Sequence, residues 1–196
     1  MSKASNTRHT ILEKAFDLIY KKGYQTTSID EIIATTKVTK GAFYYHFKTK
    51  DDMGLAIINE IVKPTMHEEF ILPLESTNDP LDNIYNITES LLLKNEYLTI
   101  EFGCPAGNLT QEMAPWNVEF SNALNEIILE WQSSIEESLQ LAIEKGSIQT
   151  TVNPKQVALF VIAGYWGIRN YGKLAKNIDC YHTYLEELKR YLNQLK

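Results

Sequence analysis

Little in this 196-residue chain suits a secreted, membrane-spanning or metal-built protein. Its two cysteines, Cys104 and Cys180, lie far apart and in no paired spacing. That excludes a disulfide framework or a Cys-rich metal site and fits thiols kept reduced in the cytosol. No apolar run approaches the roughly 20 residues of a membrane span. The polar start MSKASNTRHT lacks the apolar stretch of a signal peptide. A cytoplasmic protein with no membrane partner is expected. His9, His46, His67 and His182 are dispersed, and neither a His-Glu-x-x-His spacing nor a glycine-rich phosphate loop occurs. No serine has a nucleophile-elbow context. Catalytic residues, metal and cofactor are therefore expected to be none, and the acid pairs Glu68-Glu69 and Glu136-Glu137 fit solvated helix faces. Strand alternation with hairpin punctuation is missing too.

What is present is an apolar content of 44%, enough for a sizeable core, and helical periodicity almost everywhere. Ile11, Leu12, Ala15, Phe16 and Ile19 mark a first helix, with Lys21, Lys22 and Gly23 at its end. Ser28 and Glu31 form a capping-box pair ahead of Ile29, Ile32 and Ile33, which predicts a second helix over about 29–35. Thr39 is an N-cap for a third, with Ala42, Phe43 and Phe47 on its buried side. A fourth runs from about 51 into the sixties, disturbed near Pro64. Asn78-Asp79-Pro80 opens another, through Tyr97. Gly103 to Gly107 breaks the pattern, and a short helix then stops near Pro115. Asn117–Lys145 is long and amphipathic, Asn153-Pro154 opens the next, and the last occupies about 180–195. The fold class expected is all-α, with about nine helices: a three-helix N-terminal head and a larger helical body.

The net charge of −6 conceals an asymmetry. Residues 1–50 carry nine Lys/Arg against four Asp/Glu, while residues 51–196 carry ten against twenty-one. A basic head on an acidic body is a local footprint for a polyanion. Three short helices with a tight turn before the third make a helix-turn-helix at about 28–47. In that motif the second helix of the pair lies in the major groove and offers its N-terminal residues to base edges. Here those are Thr39, Lys40, Gly41 and Ala42, with Tyr44, Tyr45 and His46 on the outer face. Lys50, at the next helix start, joins its charge to a helix dipole. A basic three-helix cluster can also be a merely solvated domain, with Tyr44 half-buried. A helical adaptor that binds protein through its body and never touches DNA is the competing class. Acidic residues at 40 and 50 would favour it, and lysines stand there.

The whole string resembles the TetR family, the tetracycline-repressor-like regulators. The matching residues are Gly23-Tyr24, Thr26, Thr27, Ser28, Ile29 and Ile32-Ile33-Ala34, then Val38, Thr39, Lys40, Gly41, Phe43, Tyr44, His46, Phe47, Lys50 and Asp51. They cover about residues 7–60. Thr39 stands where serine is common, keeping the hydroxyl cap, and Lys37 where glycine is frequent. The resemblance implies a homodimer setting its third helices into successive major grooves of a pseudopalindromic operator, with a small-molecule inducer and usually repression as the outcome. It implies DNA contacts at Thr7, Arg8, Thr27, Thr39, Lys40, Gly41, Tyr44, Tyr45, His46 and Lys50. It also divides the chain into a DNA-binding domain at 6–66 and a ligand-binding and dimerisation domain at 67–196.

Within the body, Phe102-Gly103-Cys104-Pro105-Ala106-Gly107-Asn108-Leu109 through Gln111-Glu112-Met113 resembles the G-C-x-x-G-N-L-x-x-E signature of one TetR subgroup. The resemblance implies that Cys104 can be the group that senses a reactive electrophile, and a helix N-terminus at Pro105 would favour its thiolate. Equally, a small polarizable residue can simply fill a tight turn. A noncovalent ligand could lie among Phe102, Asn108, Phe120, Trp131, Tyr165 and Trp166, residues that a packed core would use as well. In the last two helices Val157, Phe160, Val161, Gly164, Ile168, Tyr184, Leu188, Tyr191 and Leu192 are candidates for the dimer interface. The same residues would serve a core within one subunit.

Overall fold

A computed structural model describes residues 3–76 and 79–196, with side chains from residue 6. Every element among them is helical. The order is α1 (Lys3–Lys22), α2 (Ile29–Thr36), α3 (Lys40–His46), α4 (Lys50–Ile57), a π turn (Ile58–Val62), α5 (Lys63–Met66), a second π turn (His67–Ile71) and a 3-10 turn (Leu72–Glu75). There follow α6 (Pro80–Glu89) with a third π turn (Ser90–Lys94), α7 (Pro105–Met113), α8 (Val118–Glu144), α9 (Pro154–Ala175) and α10 (Asp179–Asn193). With contiguous turns merged, nine helices result among the described residues.

The starts follow the local chemistry. Ser28 caps α2 and Glu31 completes the box. Thr39 accepts from the Ala42 N–H at 3.1 Å. Thr49 and Asp52 form a second capping box at α4. Asp79 and Pro80 open α6 as expected, while Asn78 lies outside the described residues. Near Pro64 the disturbance is a widening of the helix. Proline has no N–H to give the carbonyl four residues back, and its ring crowds it. The preceding turn opens to π, with the Lys63 N–H reaching the Ile58 carbonyl.

The chain forms two compact units, 1–65 with 105–126, and 66–104 with 127–196. In the first, α1 packs on α2 and α4, and α2 on α3. Its core holds Ile11, Leu12, Ala15 and Ile19 of α1 with Ile32, Phe43, Phe47, Met53 and Ile57. Burying each large side chain of this kind contributes about 1.5–3 kcal/mol. Residues 105–126 join this core through Phe120, whose ring meets Tyr24 edge-on at 5.1 Å. Gly54 makes the approach possible, since a Cβ there would sit 2.5 Å from Phe120 Cζ and 2.7 Å from Tyr24 Cε2. A carboxylate adds to the joint: Glu112 Oε2 accepts from the Gln25 N–H at 3.0 Å. Asn117 Nδ2 donates to Asp51 at 3.2 Å, and the same carboxylate accepts from the Tyr24 hydroxyl at 2.6 Å.

In the second unit α10 packs on α6 and α9. Phe70, Trp131 and Tyr165 meet edge-on, with centroids 5.0, 5.6 and 5.7 Å apart, at the centre of its core. On α9, four residues after Tyr165, Arg169 lies fully buried, donating to the Leu98 carbonyl at 2.9 Å and the Gly103 carbonyl at 2.8 Å. These bonds pin the loop that leads into Cys104.

Candidate nucleic-acid interface

The helix-turn-helix owes its shape to three local devices. Ser28 and Thr39 fix where α2 and α3 begin. Between them Lys37 closes α2 in the left-handed region, at φ 57° and ψ 21°, with its N–H on the Ile33 carbonyl. Phe43 and Phe47 are buried and anchor α3 to the core. The remaining face of α3 is turned to solvent: Tyr44 is 45% and Tyr45 78% exposed, Lys40 and Gly41 are exposed, and His46 is half-buried. Beyond its chain neighbours and the backbone of its own helix, no heavy atom among the described residues lies within 4 Å of where a Gly41 Cβ would sit. A short helix with an open, small-residue N-terminal face and tyrosines beside it can approach a groove and donate to phosphates.

The expected contacts do not all stand ready at that surface. Thr39 uses its hydroxyl as the cap. Lys40 pairs with Asp30 at 3.2 Å. Arg8 pairs with Glu60, and its guanidinium lies 5.0 Å from the Phe47 ring centroid. Lys50 is folded inward: its Nζ donates to the Tyr24 carbonyl at 2.5 Å and lies 4.3 Å from the Tyr24 ring centroid. Burial pushes its ammonium below the usual lysine range, against the pull of Asp51, Glu112 and Glu31. Thr27 is a correction. Its side chain is 1% exposed and its hydroxyl donates to the Gly23 carbonyl at 2.7 Å, so it braces the α1–α2 loop from inside. Thr7 is half-buried. Lys22 pairs with Glu31, and chiefly through that bond the Glu31 carboxyl is held down at about 2.

The seven expected ligand residues divide between the two units. Asn108 and Phe120 belong to the first unit, where Phe120 is a fully buried core ring against Tyr24. Phe102, Cys104, Trp131, Tyr165 and Trp166 belong to the second. There Trp131 and Tyr165 are packed with Phe70, a ring that sequence spacing did not single out. Cys104 is 7% exposed, one residue before α7. Trp166 Nε1 and Tyr184 Oη are buried with no hydrogen-bond partner among the described residues. Burial pushes the Tyr184 phenol up to about 12. An open groove of about 550 Å³ lies elsewhere, lined by Glu136, Glu137, Gln140, Leu141, Asn153, Pro154 and Lys155.

The expected interface residues also divide. Val157, Val161, Leu188 and Leu192 are at most 3% exposed within the single chain, which makes them core of the second unit. Gly164, Ile168, Tyr184 and Tyr191 are half-buried, with the Tyr184 ring covering Gly164 and Tyr191 packed on Phe160 at 4.5 Å. Phe160 is exposed. It heads a stripe that spacing alone did not isolate: Phe160, Ala163, Gly167, Tyr171 and Leu174, three to four residues apart along α9 and all exposed.

Residues 11–57 match the bacterial regulatory proteins of the tetR family, and residues 80–188 match the tetracyclin repressor-like C-terminal domain. An uncharacterized HTH-type transcriptional regulator in the lacX 3' region of Lactococcus lactis subsp. lactis is 34% identical over 134 residues, 68% of each chain. The HTH-type transcriptional repressor DhaR of Mycobacterium sp. (strain GP1) is 25% identical over 170 residues, 87% of this chain and 84% of its own. The crystal structure of a TetR transcriptional regulator from Chloroflexus aurantiacus J-10-FL superposes with a TM-score of 0.88 at 26% identity, covering 99% of this chain and 98% of that one. No helix among the described residues is long and apolar enough to cross a membrane.

Proposed function

The chain belongs to the TetR family of bacterial regulators, and on that footing we propose that it is a homodimeric, ligand-released repressor of a pseudopalindromic operator, acting in the cytoplasm. TetR-family regulators bind DNA and small molecules, form dimers and are not enzymes. The observation that carries the reading is the α2–turn–α3 unit, with Phe43 and Phe47 buried and Lys40, Gly41, Tyr44 and Tyr45 left at the surface. The DNA-binding part is residues 6–66, with Thr39, Lys40, Gly41, Tyr44, Tyr45 and His46 addressing the groove and Thr7, Arg8 and Lys50 addressing the backbone once their present partners are exchanged. Residues 67–196 sense the ligand and dimerise, with the exposed α9 stripe from Phe160 to Leu174 as the contact between subunits.

The inducer site is the Phe70–Trp131–Tyr165 core with Phe102, Cys104 and Trp166. A buried unpaired donor costs about 1–3 kcal/mol, which a ligand acceptor at Trp166 Nε1 would recover. Cys104 is the candidate for covalent sensing of a reactive electrophile. The thiolate adds to the electron-poor carbon of an unsaturated carbonyl compound, forming the S–C bond, and the resulting enolate takes a proton from water. Its tight packing requires the second unit to open before the reagent can enter.

Operator duplexes selected by the protein from a randomised pool test the whole reading. Binding should fall steeply with salt, and Tyr44→Ala should weaken it with the dimer intact in sedimentation. Absence of any shift at low salt would leave the helical adaptor as the better account. N-ethylmaleimide should release DNA from the wild type and not from Cys104→Ser; equal release from both would remove Cys104 as the sensor.

A further inference from the structure

The resemblance assigns DNA contacts to Arg8 and Lys50, yet both have intramolecular partners, as do Lys22 and Lys40. DNA must displace a carboxylate or a carbonyl to use any of them. Lys37 and Lys48 are different. Both are exposed, and neither side chain has an ion pair or hydrogen bond among the described residues. They lie three residues before and two residues after α3. A seven-residue helix is roughly 10 Å long, and the major groove is about 12 Å wide. With the helix in the groove, cations just off its two ends come within a lysine side chain's reach of the phosphates that border the groove.

The backbone at Lys37 is the second observation. A left-handed residue with a Cβ is strained, and glycine would occupy φ 57° freely. A glycine there would remove the strain and the charge together. The molecule contains its own control, because Lys176 closes α9 in the second unit with the same geometry, at φ 53°.

Resting on the DNA-binding reading, we propose that Lys37 and Lys48 are phosphate contacts on opposite flanks of α3, with the left-handed turn holding the Lys37 cation just ahead of that helix. The contacts form without breaking any existing pair, so they act in the first encounter as well as in the final complex.

Fluorescence anisotropy of the wild-type-selected operator and of a random-sequence duplex, over about 50 to 200 mM salt, reads each phosphate contact as roughly 0.9 in the slope of log K against log salt. Lys37→Gln and Lys48→Gln should each lower that slope by about 0.9 per protomer, on both duplexes alike, and weaken binding about eightfold per contact at 0.1 M salt. Lys37→Arg should keep the wild-type slope. Lys37→Gly should raise Tm while losing affinity, and Lys176→Gly should raise Tm with affinity unchanged. A wild-type slope in either glutamine variant removes that lysine from the assignment, as does lost affinity without a change of slope. If the wild type binds neither duplex, the DNA-binding reading itself falls and takes this assignment with it.

Discussion

In the first unit, Lys22, Lys40 and Arg8 lie at the surface opposite carboxylates that are themselves solvated, with Lys40 and Asp30 64% and 80% exposed. In the second, Arg169 is fully buried and held by the carbonyls of Leu98 and Gly103 and, at 3.4 Å, by the Tyr181 hydroxyl. Exposed pairs contribute about 0–1 kcal/mol because water and salt compete for both partners. A buried guanidinium has no such competition, and its bonds are structural. The first arrangement suits a surface that must trade its partners for phosphates. The second suits a loop that must be held still.

Removing Arg169 is the largest test of this difference. Arg169→Met takes the donor away from the Leu98 and Gly103 carbonyls in the interior, and each buried acceptor that loses such a bond costs about 1–3 kcal/mol. Lys40→Met should move stability by less than about 1 kcal/mol while weakening DNA binding. Urea unfolding of the two variants measures both, and similar losses would show that burial is not what separates the two kinds of cation. Arg169→Lys should remain well below the wild type, since an ammonium cannot span two carbonyls with a planar fork.

Glycines give a smaller contrast inside the first unit. Gly54→Ala forces a methyl onto the Phe120 and Tyr24 rings, and overpacking of that kind costs about 1–3 kcal/mol. Gly41→Ala meets no neighbour, and in the first turn of α3 the change gains less than the roughly 1 kcal/mol of a helix interior. Its effect should appear in operator affinity, where the helix backbone must come close. Thermal unfolding with parallel anisotropy separates the pair; equal destabilisation would contradict the packing seen at Gly54.

What could be read in the sequence was what is local. The Ser28–Glu31 box and the Thr39 cap involve atoms three residues apart, so residue type at fixed spacing suffices. The all-α class and the buried faces of Phe43 and Phe47 followed from periodicity in the same way. The inward fold of Lys50 was hidden because its acceptor lies 26 residues away. Arg169 binds a carbonyl 71 residues distant, and nothing in its neighbours marks it as buried. Phe120 was grouped with the ligand aromatics since helical spacing does not tell which core a ring enters. Pro64 signalled that its helix would be disturbed, whereas the π turn at Ser90–Lys94 carries no proline and no comparable mark.

The smallest effect concerns pH at the same surface pairs. Glu31 accepts from Lys22, from the Ser28 N–H and from the Ser28 hydroxyl, and these bonds hold its carboxyl at about 2. An ordinary glutamate titrates near 4.3, as a rough reference for the unfolded chain. The folded state therefore binds this proton less readily than the unfolded one. Its contribution is complete above the unfolded value and is lost as pH falls through the folded value. Glu31→Gln should be less stable than the wild type near neutral pH, with the gap closing between about pH 4 and pH 2. Lys22→Met should close its gap over the same window, because the pair is lost from either side. Urea midpoints for the three proteins across that range decide the matter. A gap that persists unchanged into acid would mean that the capping geometry, and not the charge on Glu31, supports the start of α2.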